Sequence, residues 1–345
     1  MHNKKNILIF GGSGFIGSNF IKFIQHNNKV INFDKLTYAS QLFNQYNKNS
    51  KNIKFIKQDI CKSIEIEKVL INYQPSIIIN FAAETHVDKS IDDSNKFINT
   101  NIFGVYSILE AIKRYQSKKN NAKLKFVQIS TDEVFGEILT GSANEGSLYN
   151  PSSPYSSSKA AGDLLIKSYA RTFGINYSII YSTNNYGNFQ NLEKFIPKSI
   201  ISILNNKKMT IYGNGSQRRD WINVKDFCKA IKKVINKKNS NYNEFCVSSG
   251  KTYTNIDLIK LILNIMFRKK LIKSKNLKNY IVKVRDRPGH DKRYAMSHKR
   301  IKSYLNWQPE ISLKKGLEKT IDWYLNYNSK SLNKSKLKII LKREG

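Results

Sequence analysis

The sequence predicts an α/β protein, a doubly wound parallel sheet followed by a smaller, partly interleaved C-terminal α+β domain. Three features predict it. Apolar runs of strand length alternate with helical segments up to about Thr183, a glycine-rich turn joins the first run to the first helix, and the alternation loosens beyond Thr183. At 345 residues, 40% of them hydrophobic, the chain has the length for two domains and a sizeable core.

In chain order, Asn6-Ile7-Leu8-Ile9-Phe10 reads as the first strand, Gly11-Gly12-Ser13-Gly14-Phe15-Ile16-Gly17 as the turn, and Ser18 to Gln25 as an amphipathic helix. That order marks a dinucleotide site of the Rossmann type. Gly11, Gly14 and Gly17 let the backbone approach a pyrophosphate, and the helix N-terminus offers unpaired N–H groups and a partial positive charge. The second run, Val30 to Phe33, ends at Asp34, where a carboxylate accepts from a ribose 2′-OH and repels a 2′-phosphate; NAD is therefore favoured over NADP. Lys54 to Ile56, Ile77 to Phe81, Lys125 to Ile129 and Tyr177 to Ile180 read as further buried strands, with a helix over Asn101–Tyr115. Three of them end at polar residues: Asp59, Ala82-Ala83-Glu84, and Ser130-Thr131-Asp132-Glu133. Ligands of open α/β sheets bind at the carboxyl ends of strands, so these loops are expected to converge. Later come mixed helices at Phe195–Leu204 and Val224–Ile235, a loop around Asp286-Arg287-Pro288-Gly289-His290, and a last helix at Leu313–Tyr327. The reading divides the chain into a dinucleotide-binding domain, 1–183, a substrate-binding domain, 184–327, with segments returning to the first, and a basic tail, 328–345, expected to be disordered.

No segment approaches the ~20 apolar residues of a membrane span, and the run before Gly11 is too short for a signal-peptide core; a cytosolic protein is expected. Cys61, Cys228 and Cys246 form no C-x-x-C pair, and His2, His26, His86, His290 and His298 show no metal-ligand spacing, so neither a disulfide nor a metal is expected. The net charge of +34 lies mostly in the second half: 22 basic against 14 acidic residues up to position 180, and 37 against 11 beyond it. An anionic substrate, a nucleic acid or compositional drift would each produce such an excess. Because Lys, Asn, Ile, Tyr and Phe are all abundant, and most lysines stand singly among Asn and Ser, a solvated surface is expected, with no specific nucleic acid and no membrane as partner.

Asp132 and Glu133 stand just before Val134-Phe135-Gly136, and Tyr155-x-x-x-Lys159 follows. A hydride-transfer site needs one base, which a tyrosine beside a lysine supplies; it does not need two adjacent carboxyl groups. Expelling water next to a new ketone does need them, since one proton must leave carbon while another reaches the departing oxygen. Ser153-Pro154 reads as a helix start, and one turn of separation puts Tyr155 and Lys159 on one face, where the ammonium can lower the phenol's pKa and hold the nicotinamide ribose. A second match, Tyr115-x-x-x-Lys119, falls at a polar helix end and reads as solvated.

Gly11-x-x-Gly14-x-x-Gly17, NFAAETHVDKSI from Asn80, STDEVFGE from Ser130 and YSSSK from Tyr155 resemble the extended short-chain dehydrogenase/reductases. Within them, DKLTYA from Asp34, NNYGNFQNLEKFIP from Asn184, YGNGSQRRDW from Tyr212 and DRPGHDKRYA from Asp286 are similar to the dTDP-glucose 4,6-dehydratase family. The resemblance runs from about residue 5 to 327. It implies a homodimer built through a helix bundle, a tightly held NAD that is reduced and reoxidised in one turnover, and conversion of dTDP-glucose to its 4-keto-6-deoxy product plus water. Tyr155 would then take the C4 hydroxyl proton with Thr131 on the same oxygen and Lys159 beside them. Glu133 would remove the C5 proton while Asp132 protonates the C6 hydroxyl, which requires Asp132 to be raised by burial beside ionised Glu133.

The resemblance also implies cofactor contacts at Phe15 and Ile16, at Lys35 and Thr37, at Asp59 and Ile60, at Ala82 and Ala83, and at Thr100. For the substrate it implies Lys194, Arg219 and Arg287 at the nucleotide and diphosphate, Asn184 and Glu193 nearer the sugar, and Phe195, Tyr212 and Lys251 along the pocket. His86 and His290 match family positions near the site and read equally well as satisfied loop histidines; Arg218 reads as a solvated neighbour. The chain departs from the family pattern at Thr210, often Pro, at Lys251, often Asn, and at Phe135, usually Tyr. The first two touch the nucleotide pocket, so thymidine and uridine both stay open. The alternatives are a UDP-glucose 4,6-dehydratase, an NAD-dependent 4-epimerase and, in another class, a basic nucleic-acid-binding protein, against which Thr131, Asp132, Glu133, Tyr155 and Lys159 together argue.

Overall fold

The structure, a computed structural model, describes residues 4–40, 50–119, 124–237 and 243–331, with side chains up to 326 in the last helix. The first half contributes strands β1 Lys5–Phe10, β2 Asn28–Asp34, β3 Ile53–Lys57, β4 Ile77–Asn80, β5 Lys125–Thr131 and β6 Asn176–Ser182. The second adds β7 Asn184–Tyr186, β8 Met209–Tyr212, β9 Arg218–Asn223, β10 Glu244–Val247, β11 Thr252–Thr254 and β12 Ile281–Val284. Seven of them lie side by side, all parallel, in the order β10-β6-β5-β4-β1-β2-β3. The doubly wound sheet read from the sequence is present, and β10 shows a late segment returning to it.

The strands read as unbroken apolar runs because helices cover both faces. Leu8, Phe10, Ile31, Phe33, Ile78 and Phe126 point to one core, shared with helices Ser63–Tyr73, Gly104–Lys118 and Pro154–Phe173. Their neighbours Ile7, Ile9, Val30, Ile77, Ile79 and Val127 point to the other, shared with helices Phe15–Ile24 and Val224–Asn236. Tyr115 is not solvated as its polar neighbours suggested. It is buried in the first core, because it continues the stripe of Ile108, Ala111 and Ile112 one turn further along the helix.

A third core, including Tyr186, Ile200, Ile211, Leu258, Ile262, Leu317 and Tyr324, is gathered by helices Phe195–Leu204, Asn255–Arg268 and Leu313–Ser331 around the small sheets β11-β9-β7 and β12-β8. The last helix runs past Tyr327 into the segment read as a tail, and residues 332–345 lie outside the described residues. Among the described residues no helix is long and apolar enough to cross a membrane, no three His, Cys, Asp or Glu residues group as metal ligands, and the three cysteines are free.

Candidate active site

The glycine turn after β1 is shaped by packing as well as by ligand access. Gly11 has φ +69°, and a Cβ there would lie 2.4 Å from the Ala82 backbone nitrogen; one at Gly17 would lie 2.5 Å from the Gly11 carbonyl oxygen. Gly14 differs. It caps the helix Phe15–Ile24, and its Cβ would meet only the Gly11 carbonyl, at 3.4 Å, so that side of the turn stays open. The first-turn N–H groups of Phe15, Ile16 and Gly17 have no acceptor further back in the helix, which suits a pyrophosphate. Asp34 ends β2, accepts from the Ser13 and Leu36 N–H groups at 2.9 and 2.8 Å, and is raised by burial against those bonds. Lys35 pairs with Asp59 at 3.5 Å, Thr37 opens the turn Tyr38–Ser40, and Ile60 is buried against Gly104. Ala82 donates to the Asn80 side chain at 3.0 Å with Ala83 next to it, and Thr100 is buried in a π-helical turn, Ile98–Phe103. An open glycine turn, a helix N-terminus and a carboxylate at the end of β2 fit NAD. The protein is expected to bind NAD(H) at least roughly tenfold tighter than NADP(H). Calorimetric titration checks this, and equal affinities would refute it.

β5 ends at Thr131 and passes directly into the single turn Asp132–Phe135. Thr131 Oγ1 accepts from the Glu133 N–H at 3.3 Å and donates to Asp132 Oδ1 at 3.2 Å. Ser153 and Ser156 form a capping box at the start of the helix Pro154–Phe173, which carries Tyr155 and Lys159, both buried. Burial raises Asp132 well above the usual carboxyl range, the Glu133 charge adds to it, and Asp220 adds again. Glu133 is also raised by burial, but the charges of Arg219, Arg287 and Lys194 oppose the rise. Both carboxyl groups are raised, but neighbouring carboxylates add to the rise at Asp132 whereas cations oppose it at Glu133, so of the two Asp132 is favoured to hold the proton. Each keeps a buried oxygen without a hydrogen-bond partner, Asp132 Oδ2 and Glu133 Oε2.

Lys159 behaves differently from the sequence expectation. Its Nζ donates to the Ile129 carbonyl at 2.7 Å and is lowered by burial, with the Asp163 charge opposing. The Tyr155 phenol is pushed up, first by burial and then by Glu133, while the Thr131 hydroxyl opposes the rise. A carbonyl near the end of β5 engages the ammonium, so the shared helix face does not translate into a lowered phenol.

The second half supplies cations across the turn. Arg219, in β9, is buried; Nη1 and Nη2 donate to the Arg218 and Asp291 carbonyls at 2.9 Å each, and its guanidinium sits 4.2 Å from the Tyr294 ring centre. It is a fixed charge beside Asp132 and Glu133, with two donors already engaged. Lys194 Nζ donates to the Thr85 carbonyl at 3.1 Å. Glu193 accepts from Tyr38 Oη and Lys89 Nζ at 3.0 Å each. Arg287 Nη1 donates to Asp88 Oδ1 at 2.6 Å, and Tyr212 Oη to Asp88 Oδ2 at 3.2 Å. His290 bonds Asp286 through Nδ1, whereas His86 Nδ1 is buried without a partner; burial holds both rings below the usual imidazole range. Phe195 stacks on Trp221, and Asn184 pairs with Trp221 where β7 begins. Lys251 does not join this group: it is exposed at the entry to β11, as Arg218 is exposed on Thr252. Phe135 packs against the Tyr149 and Tyr181 rings, so the hydroxyl it lacks would fall within an aromatic cluster.

Two residues of this region were not singled out in the sequence. Asp163 is fully buried, accepts from Ser130 Oγ and is raised by burial to about 7. Its signal was legible, since it stands one helical turn after Lys159. Asp88 offered none beyond its place after His86, because its partners lie 124 and 199 residues away.

Residues 8–320 match a protein family described as GDP-mannose 4,6 dehydratase. The chain is 41% identical over 339 residues to the dTDP-glucose 4,6-dehydratase of Haemophilus influenzae, a match covering 94% of this chain and 99% of that protein. Among solved structures it is similar to the dTDP-glucose 4,6-dehydratase of Streptomyces venezuelae with NAD bound, at TM-score 0.85 and 31% identity over 94% of this chain and 98% of the other. It is also similar to the UDP-glucose 4-epimerase of Thermotoga maritima with UDP-glucose, at TM-score 0.81 and 26% identity over 93% and 99% of the two chains.

Proposed function

Because the chain belongs to the GDP-mannose 4,6 dehydratase family, we infer that it is an NAD-dependent hydro-lyase converting dTDP-glucose to dTDP-4-keto-6-deoxyglucose and water. The reading is carried by one observation: of two adjacent carboxyl groups, Asp132 is raised well above the usual range by burial and by Glu133, while the rise at Glu133 is opposed by Arg219, Arg287 and Lys194. An epimerase needs one base and a ketone; loss of water from neighbouring carbons needs an acid and a base at once. NAD, when bound against the glycine turn and Asp34, supplies the acceptor for the C4 hydride and its later donor to C6. Tyr155 Oη, as the phenolate, takes the C4 hydroxyl proton, with Thr131 Oγ1 on the same oxygen. Glu133 removes the C5 proton made acidic by the adjacent carbonyl, Asp132 protonates the C6 oxygen, and water leaves; Glu133 then returns its proton to C5 as hydride reaches C6. Arg219, Arg287 and Lys194 oppose the rise that burial gives Glu133 and so favour its ionised form for that step.

Incubating the purified protein separately with dTDP-glucose, UDP-glucose and GDP-mannose and reading product mass tests the reading. Loss of one water, fastest from dTDP-glucose, is expected; an isomer of unchanged mass would favour the epimerase reading instead.

The proposal includes a homodimer. Ile98, Phe103 and Tyr106 on one helical segment, with Leu164 and Phe173 on the helix packed beside it, leave large apolar side chains exposed. Isologous pairing of that face with a second copy would cover it with a bundle of helices. A Phe103→Asp/Leu164→Asp variant is expected to be monomeric by light scattering while retaining NAD, and an intact dimer would show that the interface lies elsewhere. The free cysteines, two of them buried, fit the reducing cytosol.

A further inference from the structure

Asp88 makes no contact with the reacting carboxyl groups, yet it joins the two halves of the site. It lies in the short helix Val87–Asp92 beyond β4, and both its oxygens accept from the second half, Oδ1 from Arg287 Nη1 at 2.6 Å and Oδ2 from Tyr212 Oη at 3.2 Å. Burial would raise this carboxyl, but the hydrogen bond and charge of Arg287 hold it below the usual range, so it is ionised at neutral pH. The His290 ring stands edge-on to Tyr212, 5.8 Å between centroids, and Asp286 accepts from both His290 and the Arg287 backbone N–H.

Arg287 is therefore clamped at one guanidinium nitrogen and at its own backbone. Its side chain is 17% exposed, and its Nε is buried with no hydrogen-bond partner. A buried, idle donor on a cation is costly unless an acceptor arrives. The guanidinium also acts on Glu133, which places it between the reaction centre and Asp88. An arginine held at one edge by a carboxylate presents its remaining donors in one fixed orientation, which suits the oxygens of a diphosphate.

We propose that Asp88 is a positioning residue for the nucleotide diphosphate, orienting Arg287 so that its unpartnered Nε donor faces the phosphate oxygens. The proposal rests on the nucleotide-sugar reading of this site. It is tested by calorimetric titration of the NAD-loaded enzyme with dTDP, alongside steady-state kinetics. Asp88→Asn, which keeps the shape and removes the charge, is expected to weaken dTDP binding roughly tenfold and to raise KM, with kcat, thermal midpoint and NAD content close to the parent's. Asp88→Glu should restore part of the affinity. Because Asp88 acts through Arg287, its replacement should add nothing once Arg287→Ala is present. Unchanged or tighter dTDP binding in Asp88→Asn overturns the proposal, as does an additive loss in the double variant. If the parent itself binds no dTDP, the substrate reading falls with it; if the parent binds and Asp88→Asn binds equally well, only the role of Asp88 falls.

Discussion

Enzyme carrying Asp132→Asn and Glu133→Gln is expected to reduce its bound NAD on mixing with dTDP-glucose and then to stall, releasing the 6-deoxy product at least ~10²-fold more slowly than the parent. Both replacements keep side-chain shape, and the Thr131 hydroxyl still accepts from the backbone N–H at position 133. The proton taken by Tyr155 does not pass through either carboxyl, so the first step survives. The second fails twice, because the amide at 132 donates no proton and the amide at 133 removes none. Tyr155→Phe should show the opposite pattern, with no reduction of the nicotinamide at all. Rapid mixing with absorbance detection, followed by product mass, separates the two cases. A doubly substituted enzyme turning over near the parent rate would show that these carboxyls are not the acid–base pair. The pH dependence has a defined sign. Burial and Glu133 raise Asp132, so water loss is expected to fail as pH rises through that raised pKa, where the acid gives up its proton.

Arg287→Ala is expected to weaken substrate binding by roughly 1.5–3 kcal/mol, about 10- to 150-fold, the range for hydrogen bonds to charged groups. The effect should survive added salt, because the guanidinium is mostly buried and screening acts chiefly on exposed charges. Arg219 offers a contrast. With Nη1 and Nη2 on backbone carbonyls and its charge beside Asp132 and Glu133, its removal should disturb the fold and the acid–base pair before it disturbs affinity. Binding of dTDP-glucose by Arg287→Ala at parental strength would move the diphosphate elsewhere in the cleft.

The first six strands were legible because each is an apolar run bounded by polar or turn residues, and the structure moves their ends by at most two residues. The same holds for the glycine turn, whose three spaced glycines answer to backbone contacts at Gly11 and Gly17 and to an open side at Gly14. Thr131, Asp132 and Glu133 could be placed at a strand's carboxyl end, and Tyr155 and Lys159 on one helix face, from local spacing alone. Local spacing misled at Lys159 and Tyr115. The Ile129 carbonyl that engages the lysine stands 30 residues earlier in the chain, and the core that buries the tyrosine is assembled from other elements.

The sequence by itself determined the parallel sheet, the glycine turn with Asp34 at the end of the next strand, and the placing of Thr131, Asp132 and Glu133 at the end of β5, since each is written in a period or a spacing within some thirty residues. Only the tertiary structure decided that β10 closes the sheet beside β6, that Arg219 is a buried charge with its fork engaged, and that Asp88 holds Arg287. The physical reason is the same in each case. Contacts between segments far apart in the chain are selected by burial summed over a whole core and by the desolvation of charges within it, and neither leaves a local pattern.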